Sequence, residues 1–313
     1  MIVSLKKAAE MIKSGEVIAF PTETVYGLGA DAKNIIAIKK TFDLKGRPAD
    51  NPLIVHISNL SQLDGLVSEL PKYFHQLSEA FWPGPISFIL KKDNSVPDLV
   101  TGGLSTVAVR MPDHPLALSL IEITGPLTAP SANKSGKPSP TRPEHIVTDF
   151  GDSLPMLDGE PSKIGLESTV IDLSSDIPAI YRPGAISKEM VEDVLKIDVI
   201  DSTETKPDNH PKSPGLKYSH YKPNADVNWL EGMPSSPDSK SYYLTHSSTD
   251  GSASKNLISF NGDFDEMAKS LYDHFRTADY LGYSQIWVEK LPENLTHPLI
   301  APLKNRVQKA ISH

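Results

Sequence analysis

The chain has 313 residues and a formal net charge of −8, from 31 lysines and arginines against 39 aspartates and glutamates. That is length for two domains, and an acidic balance that argues against broad, tight nucleic-acid binding while leaving room for a local basic patch. Zero cysteines exclude disulfides, thiolate zinc sites and a cysteine nucleophile.

No apolar run approaches the ~20 residues that span a bilayer. The N-terminus places Lys6 and Lys7 after its apolar residues, so it is not read as a signal peptide. A cytoplasmic protein that touches no membrane is the expectation. Leu5 to Lys13 reads as a helix with Leu5, Ala8, Ala9 and Ile12 on one face, closed by Gly15. Val17-Ile18-Ala19-Phe20 follows as a buried strand. Pro21 cannot donate to a sheet ladder, so the chain leaves the sheet and is expected to expose Thr22, Glu23 and Thr24. Gly27 and Gly29 then supply positions for a positive φ or the close approach of a ligand. The alternative is a polar turn that merely reverses the chain; a third glycine is missing, so this is not a dinucleotide fingerprint.

A helix beginning at Ile35 and ended by Lys45-Gly46-Arg47-Pro48 comes next, then a strand from Leu53 to Ile57. Residues 60 to 80 read as helical, Trp82-Pro83-Gly84-Pro85 as a rigid turn, and Ile86 to Leu90 and Val107 to Arg110 as strands. His114 to Thr124 is a helix, and Pro126 to Pro130 a short strand leading into the polar loop Ser131 to Lys137. Thr169 to Leu173 and Ala179 to Arg182 are strands, and Ser187 caps a helix through Leu195. Short strands that alternate with helices and end in polar loops imply an α/β fold.

From Asp201 the composition becomes that of a linker, polar and proline-containing from Thr203 to Pro211. Ser213 to Pro223 carries Tyr218 and Tyr221 among lysines and is too aromatic for a passive tether. A strand around Tyr242 to Leu244, a helix from Phe264 to Ala278, a strand from Gln285 to Glu289 and a helix from Leu299 to Ala310 form a second, small α/β domain, with a serine-rich loop over 234–254. The expected division is a first domain over 1–200, a linker or lid over 201–226 and a small C-terminal domain over 227–313.

Lys45, Arg47, Arg110, Lys134, Lys137 and Arg182 sit at strand ends or in glycine-proline loops, where open α/β sheets bind ligands. If they converge, the ligand is anionic: arginine grips phosphate or carboxylate bidentately and lysine acts as a movable point charge. The alternative is that each neutralises acids on the surface. Ser131, Asn133, Ser135 and Ser139 crowd a loop with Gly136, a composition fit to cradle phosphate oxygens, although no GxxxxGK[ST] loop occurs. His56 on an apolar strand reads more readily as a core histidine than as an acid or base. Residue types alone stop at a phosphorylated or carboxylated ligand.

Six segments in order narrow this: Phe20-Pro21-Thr22-Glu23-Thr24-Val25-Tyr26-Gly27-Leu28-Gly29, Lys45-Gly46-Arg47-Pro48-Ala49-Asp50-Asn51-Pro52-Leu53, Phe81-Trp82-Pro83-Gly84-Pro85, Ala108-Val109-Arg110-Met111-Pro112, Ala129-Pro130-Ser131-Ala132-Asn133 and Tyr181-Arg182-Pro183-Gly184. Together they closely resemble the YrdC-like family. The Ser213-Pro214-Gly215 linker and the last domain are similar to its long, two-domain form. The resemblance implies a twisted open mixed sheet with flanking helices, plus a small C-terminal Rossmann-like α/β domain. It implies an L-threonylcarbamoyladenylate synthase, a nucleotidyltransferase that turns L-threonine, bicarbonate or CO2, and ATP into threonylcarbamoyl-AMP and pyrophosphate, with Mg²⁺ on the phosphates. The product would pass to a separate tRNA threonylcarbamoyltransferase complex. Positioning and charge neutralisation dominate such a step.

By the same resemblance, Thr24, His56, Arg110, Ala129 and Ser168 match the threonine site, with Arg110 the partner of the amino-acid carboxylate. Arg47, Asn51, Thr106, Ser131, Ser139 and Arg182 match the ATP site. Lys45 and Arg47 are the expected catalytic cations, Lys45 facing the phosphates, and Tyr221, or else Tyr218, reaches back over the nucleotide as a lid. Leu216 and Ser219 stand where the family more often has Met and Arg. Two other readings compete: a non-catalytic factor on the same fold for RNA binding or ribosome assembly, with weak RNA binding, and a carbamoyl-transfer domain of the hydrogenase-maturation type, whose cysteine-rich zinc elements this chain lacks.

Overall fold

The computed structural model describes residues 1–203, 221–232, 237–248, 254–292 and 294–311. Ser213-Pro214-Gly215, Leu216, Tyr218 and Ser219 lie outside them, as does part of the serine-rich stretch. The chain opens with α1 (Leu5–Lys13), capped by the Ser4 hydroxyl, which accepts from the Lys7 N–H. Then come β1 (Ile18–Phe20), β2 (Gly27–Asp31), α2 (Ile35–Lys45), β3 (Ile54–His56), α3 (Phe74–Phe81), β4 (Ile86–Lys91), α4 (Asp98–Thr101) and β5 (Thr106–Arg110). Next are α5 (Pro115–Thr124), β6 (Leu127–Thr128), α6 (Pro143–Phe150), β7 (Thr169–Asp172), β8 (Ala179–Arg182), α7 (Lys188–Leu195) and β9 (Ile200–Asp201). The C-terminal part contributes β10 (Asp226–Leu230), β11 (Ser241–Thr245), β12 (Leu257–Ser259), α8 (Phe264–Tyr280), β13 (Gln285–Glu289) and α9 (Ile300–Ile311).

The first nine strands form one mixed sheet in the order β1-β2-β6-β3-β5-β4-β7-β8-β9. At its centre β3 runs parallel to β5, with Ile54 beside Ala108 and His56 beside Arg110. The pleat sends alternate residues to opposite faces. Val55, Val107, Val109, Phe88 and Ile171 join the main core with Leu77 of α3 and Val191 of α7. The other face carries only a thin apolar group of Ile54, Ile89, Ala108 and Val170, which leaves His56 and Arg110 over a concavity. At β8 the alternation is broken. Val170 pairs with Arg182 but Ile171 with Ile180, a bulge that leaves Tyr181 as the extra residue. Without it Arg182 would share the core face of Ile180; the bulge turns it to the face of Val170.

The second sheet is parallel throughout, in the order β10-β13-β11-β12. Its core is not self-contained: Val25 and Leu166 of the first domain pack with Leu271 and Phe275 of α8 and Leu303 and Val307 of α9. Among the described residues no helix is long and apolar enough to cross a membrane.

Three local expectations are corrected. Residues 60–80 are not one helix: a 3₁₀ turn (Leu60–Leu63) and α3 are separated by Gly65, at φ 72, and Pro71, both incompatible with a continuous helix. Gly27 and Gly29 lie in β2, and neither has a positive φ. They are small because the Phe20 ring lies across them: a Cβ on Gly29 would sit 2.8 Å from Phe20 Cε1. Thr22, Glu23 and Thr24 are buried rather than exposed. The Thr22 hydroxyl donates to the Val25 carbonyl (2.6 Å), and the Ile164 N–H to that of Glu23 (2.8 Å), so the strap leading to β7 covers the turn.

Candidate active site

One cavity lies over the concave face. It is lined by the turn after β1 (Thr22, Thr24, Val25, Tyr26), Gly27 of β2, Arg47 after α2, the segment Pro52 to Ile54 and His56 through β3, Arg110 closing β5, Ala129 to Ser131 after β6, Glu167 and Ser168 before β7, Arg182 closing β8, and Tyr221. Its volume is about 70 Å³, far below the roughly 300 Å³ at which small-molecule clefts begin. In this conformation Tyr221 and Glu167 close the side that faces the C-terminal domain.

Three guanidinium groups reach this space, each held differently. Arg110 is buried; its Nε donates to the Gly84 carbonyl (3.1 Å) and its Nη1 to the Thr24 hydroxyl (2.8 Å). Its Nη2 stands 2.6 Å from Glu23 Oε1 without hydrogen-bond alignment, so this is an ionic contact rather than a bidentate bond. Arg182 is buried, donating from Nε to the Ser168 carbonyl (2.9 Å) and from Nη2 to the Ser168 hydroxyl (3.0 Å), which also meets the Ser87 hydroxyl at 2.8 Å. Arg47 donates to the carbonyls of Asn51 (3.2 Å) and Pro52 (2.9 Å), folding its loop back along the entry to β3. With Glu23 neutralising Arg110, the remaining balance is positive, the sign an anionic ligand requires.

His56 faces the same space. Burial, and then Arg110, lower its pKa to about 3, so the imidazole is neutral at any physiological pH. Its Nδ1 and the buried Asn51 Nδ2 have no hydrogen-bond partner among the described residues, and buried polar atoms left in that state call for a ligand or water.

The expected site residues therefore divide. Thr24, His56, Arg110, Ala129 and Ser168, the threonine set, all line the cavity, with Arg47, Ser131, Arg182 and Tyr221 of the ATP set. Asn51, Thr106 and Ser139 do not. Thr106 begins the strand that Arg110 ends, roughly 13 Å away at 3.3 Å per residue, so the two sets spread along the strands, His56 and Arg110 at one end and Asn51 and Thr106 toward the other. Ser139 is one hydrogen bond removed, donating to Glu167 Oε1 at 2.5 Å.

Lys45 is turned away from the cavity. Its ammonium is buried against the carbonyls of Ser131 (2.6 Å) and Asn133 (2.7 Å), and burial, then Arg47, lower its pKa. It ties the end of α2 to the polar loop instead of facing the cavity. The other two lysines also leave the cluster: Lys134 donates to the Leu44 carbonyl (2.6 Å) and Lys137 to Asn224 Oδ1. Of the six expected cations only the three arginines line the cavity; the lysines cap carbonyls or an amide oxygen, an arrangement that spacing does not reveal.

Glu167 was not expected. It lies in the cavity wall, and besides Ser139 its partners come from the far domain: Arg306 Nε donates to Oε2 at 2.7 Å and the Tyr272 hydroxyl at 3.0 Å. Burial pushes this carboxyl up, but Arg306, then Arg182, hold it below the usual range. A charge at position 306 within the apolar stripe Leu303, Val307 and Ala310 is the one signal that pointed there.

A family model described as telomere recombination, Sua5_yciO_yrdC, matches residues 10–184, and one described as the threonylcarbamoyl-AMP synthase C-terminal domain matches residues 186–312. The chain is 50% identical over 233 residues to a threonylcarbamoyl-AMP synthase of Bacillus subtilis, covering 74% of this chain and 67% of that one. It is 41% identical to the Pyrococcus abyssi protein of the same name over 98% of this chain and 93% of that one. The crystal structure of Pyrococcus abyssi Sua5 complexed with L-threonine superposes with a TM-score of 0.89 at 39% identity, covering 98% of this chain and 94% of that one.

Proposed function

The chain belongs to the Sua5, YciO and YrdC family and carries the C-terminal domain of its threonylcarbamoyl-AMP synthases, and from that premise we propose how its cavity makes threonylcarbamoyl-AMP. The substrates are L-threonine, bicarbonate or CO2, and ATP; the products are the mixed anhydride and pyrophosphate, with water when bicarbonate supplies the carbon. One observation carries the reading at the level of residues: a single cavity gathers Thr24, His56, Arg110 and Ser168 with Arg47, Ser131 and Arg182.

The amino-acid carboxylate lies against Arg110, whose guanidinium Glu23 and Thr24 already fix in orientation. Neutral His56 lines the same wall without adding positive charge beside the threonine nitrogen, which must be uncharged to add to CO2. That addition forms a carbamate and releases one proton. A carbamate oxygen then attacks the α-phosphorus and pyrophosphate leaves. Arg182 and Arg47 neutralise charge that develops on the phosphates, and they are held by carbonyls and hydroxyls, so little reorganisation accompanies the step.

Magnesium enters with ATP as part of that substrate. The phosphates of the nucleotide carry it into the cavity. The product passes to a transferase that acts on tRNA, in the cytoplasm. Pyrophosphate release from MgATP, with L-threonine and bicarbonate omitted in turn, tests the reading. Release that requires both is the expected result; MgATP binding without threonine-dependent release, alongside salt-sensitive RNA binding, replaces it with the non-catalytic alternative.

A further inference from the structure

Among the described residues the C-terminal domain has no side chain in the cavity wall after Tyr221, yet it holds two parts of that wall. We propose that Arg306, on α9, is a positioning residue for the nucleotide half of the site, acting through Glu167 and Tyr221.

Arg306 is fully buried and serves both walls at once. Its Nε donates to Glu167 Oε2 at 2.7 Å and its Nη2 to the Glu167 carbonyl at 3.3 Å. Its guanidinium carbon lies 5.4 Å from the centre of the Tyr221 ring, which stacks on Tyr272 at 5.4 Å and 29°. Tyr272 in turn donates to Glu167. Two aromatic rings, one carboxylate and one guanidinium form a closed set across the domain boundary. Ser139, of the expected ATP set, completes it by donating to the other carboxylate oxygen at 2.5 Å.

The strap before β7 shows why this reaches the chemistry. Gly165 abuts the α8 backbone, Leu166 enters the C-terminal core, Glu167 meets Arg306, and Ser168 binds Arg182. Three consecutive residues are thus gripped by the C-terminal domain, the third of them, Glu167, already stands in the cavity wall, and the fourth, Ser168, holds a cavity arginine. Without Arg306, Glu167 is a buried carboxylate facing a site built for anions. It then repels the phosphates or protonates, and either releases Ser139 from its present geometry. The threonine end is anchored separately, through Arg110 to Gly84 and Thr24. Loss of Arg306 is therefore selective for the nucleotide.

This rests on the synthase reading, and the test separates the two. Binding of MgATP alone and of L-threonine alone is measured by calorimetry on full-length wild type, Arg306→Met, Arg306→Lys and Asp273→Ala. Asp273 joins the domains through Arg142 and through His145 at 3.0 Å but does not line the cavity, so its variant reports loosened docking alone. Arg306→Met should weaken MgATP at least tenfold and leave threonine within threefold; Arg306→Lys should recover part of the loss, and Asp273→Ala should leave both within threefold. Wild-type MgATP affinity in Arg306→Met, an equal loss for both ligands, or the same loss in Asp273→Ala overturns the proposal. If Arg306→Met does not fold, Arg306→Lys carries the measurement: MgATP weakened at least threefold with threonine binding unchanged is the expected result, and wild-type MgATP affinity overturns the proposal. A wild type that binds neither ligand and releases no pyrophosphate defeats the synthase reading itself, whereas normal wild-type binding matched by Arg306→Met defeats only the role of Arg306.

Discussion

At the scale of single residues the site is a set of arginines whose free energy of burial is offset by carbonyl and hydroxyl partners. Arg182 shows the consequence. Lysine keeps the charge but cannot reproduce the two donors that meet the Ser168 carbonyl and hydroxyl, so Arg182→Lys should lower kcat/KM at least tenfold in the pyrophosphate assay. His56 makes a different prediction. Its folded pKa, about 3, lies below the ordinary 6.5, so the unfolded chain binds a proton that the folded chain refuses. Its contribution to stability is present above pH 6.5 and falls by up to ~1.4 kcal/mol per pH unit as pH drops toward 3. Urea denaturation at pH 7, 6 and 5 should show this slope in the wild type and a shallower one in His56→Gln; equal slopes would assign the acid sensitivity elsewhere. The three arginines that line the cavity were legible from their motifs. Glu167 was not, because a buried acid is defined by its partner, and Arg306 stands 139 residues away.

At the scale of elements, two small devices aim the site. The bulge at Tyr181 turns Arg182 out of the core, and the Phe20 ring lying across β2 demands glycine at 29 and, with Ala129, crowds position 27. Gly29→Ala puts a methyl 2.8 Å from that ring, an overpacking of about 1 to 3 kcal/mol. Thermal denaturation should register it as a lowered Tm, and Phe20→Leu in the same chain should restore part of the loss. Periodicity located β4, β5, β7, β8 and most helices, since their apolar residues recur at strand or helix spacing. It missed β2, whose glycines hide the alternation, and it joined residues 60–80 across Pro71.

At the scale of the whole molecule, the two domains share a core and a wall of the cavity. Gly165 is a point of close approach: at φ 79, a Cβ built there would lie 2.4 Å from the Lys269 backbone. Gly165→Ala forces α8 away, and unlike a surface change it cannot be absorbed by a side-chain rotation. Limited proteolysis between the domains should accelerate in this variant, and MgATP turnover should fall with it while the first domain keeps its secondary structure. Cleavage at the wild-type rate would mean that the interface tolerates displacement.

Sequence alone determined the α/β class, the two-part organisation, the family and the three arginines that line the cavity, because strands, helix caps and short motifs are local and each records its own chemistry. Tertiary structure decided which of the cations share one space, that Lys45 serves loop carbonyls, and that the last helix neutralises a carboxylate in the cavity wall. Those outcomes depend on which distant groups meet once water is removed, and a buried charge takes its role from the partner it finds there.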